Sequence, residues 1–223
     1  MSTTRRAFLG RASVGAALFS ALPSDLFAAG SAEPAAVQDG TWDLTWVNRI
    51  TGKHRAIFDV PEVESGYGVW RLNAWANQYQ QVLGAKPAEI TAVLVLRHNG
   101  IALAMQQAFW DAYSLGKAKH VTHPLTTQPT DKNPALLGAK DGVPEPFASG
   151  SLPSQLQRGV IVLACNLALQ DCVELIKAKE QISDEAAHKL AVTMLVPGVI
   201  LQPSGVFAAV RAQQAGCAYV RAS

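Results

Sequence analysis

Apolar residues along the chain alternate between two spacings. KHRAIFDV at 53–60 reads as a strand that Pro61 closes. From Ser65 to Leu83 apolar side chains recur at Val69, Leu72, Trp75, Ala76, Tyr79, Val82 and Leu83, a helical spacing that Gly84 stops. EITAVLVLRH at 89–98 is a nearly unbroken apolar run, the composition of a strand covered on both faces of a parallel sheet. A helix is expected from Ile101 to Tyr113, ended at Gly116. Residues 117–150 are dense in proline and glycine and read as a long irregular excursion, of the kind that is functional or mobile in a compact domain.

Regular alternation then resumes. A short helix at Pro153–Gln157 precedes a strand at Val160–Ala164 and a helix at Leu167–Lys179. Ser183 reads as the N-cap of a helix reaching Leu195. A strand at Val199–Gln202, a helix at Val206–Gln214 and a last strand in CAYVRA complete the series. Strands alternating with helices predict a three-layer α/β/α sandwich with a mostly parallel sheet and right-handed crossovers.

The first residues do not belong to that pattern. Arg5 and Arg6, followed by Phe8, Leu9 and a moderately apolar stretch to Leu22, with small residues from Ala28 to Ala32, have the layout of a twin-arginine export signal. The expected organisation is therefore a signal at 1–32, a linker at 33–40 and one α/β domain at 41–223. The apolar stretch is shorter than the roughly 20 residues of a spanning helix, so a soluble periplasmic protein is expected after cleavage. Cleavage removes three arginines and one aspartate from nineteen basic and seventeen acidic residues, leaving sixteen of each. That balance argues against a nucleic-acid partner. Three cysteines are an odd number, which argues against a disulfide scaffold.

In an open parallel sheet, ligands bind beyond the carboxyl ends of the strands. The residues there are His98 and Asn99, Cys165 and Asn166, then Pro203, Ser204 and Gly205. Each group precedes a predicted helix, whose N–H groups favour an anion or a thiolate. Cys165 is then either a small core residue ending a strand or a thiol at the mouth of a pocket, since a helix N-terminus lowers a thiol pKa. Cys172 lies two turns further along the same predicted helix, about 10.5 Å away and beyond disulfide reach. Cys217 reads as core. His98 is a candidate base, donor or metal ligand; with Cys165, His120 and His123 it offers metal-binding side chains, though not at an established zinc spacing. No dinucleotide or phosphate-loop glycine motif is present.

GVIVLACNLAL, followed some thirty residues on by LVPGVILQPSGVFAAVRAQQAGCAYV, resembles the DsrE/DsrF-like sulfur-relay family, and VLVLRHNGIAL resembles its earlier strand end. The likeness spans 90–222. It implies a flavodoxin-like fold, assembly into homo-oligomers (trimers or hexamers) and a persulfide-carrying cysteine, a role that falls on Cys165 alone. The chain departs from that pattern in its export signal, its extension through residue 88 and the NLALQD that follows Cys165, where sulfur carriers often have arginines. Three readings follow: thiol or sulfur handling through Cys165, with His98, Asn99, Asn166, Ser204 and Gly205 shaping the pocket; a non-catalytic small-ligand or assembly protein using the same edge; and a metal or cofactor protein using His98 and Cys165. The expected partners are a second copy, the twin-arginine export machinery and a small molecule; no cofactor is specified.

Overall fold

The computed structural model describes residues 42–223. The expected signal at 1–32 and linker at 33–40 lie outside the described residues. β1 (His54–Val60), β2 (Ile90–Leu96), β3 (Ile161–Cys165), β4 (Ile200–Gln202) and β5 (Ala218–Arg221) form one sheet in the order β4-β3-β2-β1-β5. Every neighbouring pair is parallel. The outer strand beside β1 is the last in the chain, where the flavodoxin order 2-1-3-4-5 has the second. β2 is buried beyond its first residue and β3 throughout, as their unbroken apolar composition requires.

Seven α-helices among the described residues surround the sheet: α1 (Tyr67–Leu83), α2 (Gln107–Tyr113), α3 (Leu115–Ala118), α4 (Leu152–Gln157), α5 (Asn166–Glu180), α6 (Asp184–Thr193) and α7 (Gly205–Gln214). The boundaries follow local chemistry. Gly84 ends α1 at φ +65°, in the left-handed region where a side chain is disfavoured. Ser183 Oγ accepts from Ala186 N and starts α6.

Alternation along the strands makes two cores. Phe58, Val60, Leu94, Leu96 and Val162 face α1, α5 and α6. Ile57, Val93, Val95, Ile161 and Leu163 face α7, together with Trp46 and Ile50 of the N-terminal segment. This division follows from the strand order. β1 to β4 advance in one direction, so right-handed crossovers put their helices on one face; the return from β4 to β5 puts α7 on the other.

Two segments depart from expectation. The helix expected over Ile101–Tyr113 is a 3₁₀ segment at His98–Ala104, a break at Met105–Gln106 and then α2. Its backbone is claimed by distant groups: Asn133 Nδ2 donates to Leu103 O and Met105 O, Val196 N donates to Ala104 O, and Gln106 N donates to Met194 O. The 117–150 excursion is irregular as expected, but it is pinned down by the fully buried Asn133 and by a small core of Leu137, Val143 and Ala148. No helix among the described residues is long and apolar enough to cross a membrane.

Candidate functional site at the carboxyl edge of the sheet

The chain leaves β3 towards the first face and β4 towards the second, although the two strands are neighbours. That divergence is the switch point at which open α/β sheets bind ligands. It falls between Cys165–Asn166 on one side and Pro203–Gly205 on the other.

Cys165 is both the last residue of β3 and the N-cap of α5. Its Sγ accepts from Ala168 N at 3.4 Å. It is 6% exposed and packs with the first-face core. Both readings of this residue thus have a structural basis: it fills core space, and it offers its sulfur to an N–H at the start of a fifteen-residue helix. Asn166 turns the other way, its Oδ1 meeting His188 Nε2 at 2.8 Å. His188 comes from α6, and no motif in the sequence singled it out; only the antiparallel return of α6 against α5 brings it to the edge.

Ser204 caps α7, its Oγ accepting from Phe207 N at 3.0 Å. Gly205 is a packing requirement, because a Cβ there would come within 2.6 Å of Arg97 Cβ and Cδ. The Arg97 side chain lies across this glycine and reaches Asp59, which it binds through Nε and Nη2 at 2.7 Å each. Tyr219 OH donates to the same carboxylate at 2.6 Å. Asp59 is 1% exposed, so its carboxylate depends on Arg97, from the end of β2, and Tyr219, from β5, both of which still reach water. The hydrogen bond to Asp59 raises the Arg97 pKa. The same bond to Asp59, aided by burial, raises that of Tyr219. The sequence did carry one signal for this cluster, an acidic residue inside the otherwise apolar AIFDV.

His98 and Asn99 meet at Glu62 rather than at Cys165. His98 Nδ1 lies 3.2 Å from Glu62 Oε1, and Asn99 Nδ2 donates to Oε2 at 2.9 Å. Lys119 Nζ donates to Asn99 Oδ1 at 3.2 Å, and Glu62 N donates to Ser223 Oγ. The His98 side chain is 65% exposed, on a backbone at φ +48°. The six candidate pocket residues all lie on this edge, but as three groups: Cys165 with Asn166 and His188, Ser204 with Gly205 and Arg97, and His98 with Asn99 and Glu62.

The three cysteines are free thiols. Cys165 belongs to the first-face core and Cys217 to the second, which separates them by the sheet. Burial pushes the Cys172 thiol up to about 12, and burial also raises that of Cys217. Among the described residues no three or more His, Cys, Asp or Glu side chains gather in a way that could hold a metal ion. His123 instead orders its own loop, its Nδ1 accepting from Leu125 N and Thr126 N. The chain matches no family model, and no curated protein matches it.

Proposed function

We propose that this is an exported, DsrE-like protein that handles sulfur or small thiols through Cys165. The observation that carries this reading is the coincidence of a switch-point thiol with a helix N-cap: Cys165 Sγ accepts from Ala168 N in the first turn of α5. The thiolate attacks the outer sulfur of a small persulfide donor, R–S–SH. The donor S–S bond breaks, a bond from Cys165 Sγ to that sulfur forms, and the donor leaves as the thiolate RS⁻, with the proton retained on the transferred sulfur. The low exposure of Cys165 restricts this exchange to small donors. Arg5 and Arg6 support export by the twin-arginine route to the periplasm, and the family likeness supports assembly into trimers or hexamers.

A second reading, a non-catalytic small-ligand protein using the same edge, is favoured by one observation. Glu62 gathers His98 and Asn99, and Lys119 joins through Asn99, so groups of both charge signs meet beside the exposed imidazole. Intact mass of the mature protein after exposure to polysulfide or iodoacetamide separates the two. The thiol reading expects one added sulfur, or one rapidly added carbamidomethyl group, both absent in Cys165→Ser. Failure of Cys165 to react in the folded protein would overturn it.

A further inference from the structure

The turn that follows β2 carries a chemistry of its own. Asn99 and Gly100 are the one Asn–Gly pair in the chain. Asparagine is a labile side chain, and a following glycine protects it least, because no Cβ keeps the next backbone nitrogen away from the amide carbon. In that reaction Gly100 N gives its proton to solvent and attacks Asn99 Cγ. A C–N bond forms, the Cγ–Nδ2 bond breaks and the amide leaves as ammonia. Water, the only co-reactant, then opens the five-membered imide to aspartate or isoaspartate.

The fold holds both reacting groups apart. Asn99 lies in the 3₁₀ segment His98–Ala104, and Gly100 N donates to Pro61 O at 2.9 Å. The glycine is pressed against the end of β1, since a Cβ there would come within 2.1 Å of Val60 O. The attacking nitrogen is therefore already spent on a backbone carbonyl. The amide is gripped at both ends: Nδ2 donates to Glu62 Oε2 at 2.9 Å, and Lys119 Nζ donates to Oδ1 at 3.2 Å. Glu62 is itself placed by its N–H, which donates to Ser223 Oγ at 3.0 Å. Lys119 is the C-cap of α3. Asn99 is only half-buried, so water reaches it.

Turning Cγ onto Gly100 N breaks both side-chain bonds, each made to a charged group and so among the stronger hydrogen bonds. We infer that Asn99 is a latent self-modification site, kept as asparagine in the folded protein by the grip of Glu62 and Lys119 on its amide. Conversion replaces the donor facing Glu62 with a second carboxylate, a like charge at hydrogen-bond distance. The change is one-way, and it alters the charge of this edge without any action of Cys165.

Incubation in H₂¹⁸O at mildly alkaline pH, followed by peptide mapping of residue 99, tests it through the heavy oxygen that ring opening incorporates. The native protein is expected to keep its asparagine over a period in which the urea-unfolded chain converts. Glu62→Ala and Lys119→Ala, each checked for the native fold by circular dichroism, are expected to convert about tenfold faster than the wild type, the effect of losing one hydrogen bond to a charged group. Lys119→Arg keeps a donor and is expected to convert at the wild-type rate. Should Glu62→Ala fail to fold, Lys119→Ala decides alone. Conversion of the native protein at the unfolded rate overturns the inference, and so does conversion of the folded alanine variants no faster than the wild type.

Discussion

The first face of the sheet is covered by α1, α5 and α6, whereas the second is closed by α7 and the short N-terminal turn around Trp46. The two solutions use different chemistry. The first packs large aliphatic and aromatic side chains in depth, among them Leu72, Leu94, Phe109 and Trp110. The second brings α7 close to the strands through Ala208, Ala209 and Ala212 and fills the remaining space with one indole, Trp46. A face that rests on few side chains concentrates its stability in them.

The contrast breaks first at Trp46. Trp46→Ala is expected to cost about 4 kcal/mol, because it removes the largest second-face side chain and also leaves the buried Gln202 Oε1 without its donor; urea unfolding measures it. A loss no greater than that of a single aliphatic truncation on the first face would mean that the two faces are equally redundant. Asp59→Ala is expected to cost about 3 kcal/mol, at the lower end for a broken buried ion pair since Arg97 keeps some contact with water; the same unfolding curve reads it. Ala212→Leu tests the close approach of α7 and is expected to cost about 2 kcal/mol by overpacking, seen as a lower denaturation midpoint.

Smaller effects sharpen the edge. Ser204→Ala removes the α7 cap and is expected to cost about 1 kcal/mol by thermal unfolding. Tyr219 has its pKa raised above the ordinary 10.0 by the bond to Asp59. The folded state therefore holds that proton more tightly than the unfolded chain. The contribution is complete below pH 10 and is lost as pH rises through the higher folded value. Urea titrations between pH 8 and about 11 should show this alkaline loss in the native protein, and a smaller one in Tyr219→Phe.

Much of the architecture was legible in the chain itself. The β2 run is apolar enough to imply cover on both faces, and Gly84 and Ser183 mark helix ends by their own backbone and side-chain chemistry. The rule of strand ends put all six candidate residues at the carboxyl edge of the sheet, where the structure has them. Their grouping was not legible, because it depends on which side chain reaches which partner across the register. His188 meets Asn166 from 22 residues away, and Arg97 meets Asp59 from 38. The break at Met105 was hidden for the same reason: the spacing of Ile101–Tyr113 is helical, but Asn133 and the 194–196 segment compete for its backbone.

The sequence by itself therefore determined the elements, their order and the place of Cys165 at the end of a buried strand, since apolar period, caps and turn residues are local and act before any distant contact forms. Tertiary structure alone decided that β5 returns beside β1, that α7 crosses to the other face and that the divergence of the connections falls between β3 and β4. Those outcomes depend on contacts between residues far apart in the chain, where the same side chains have several partners open to them and packing selects one.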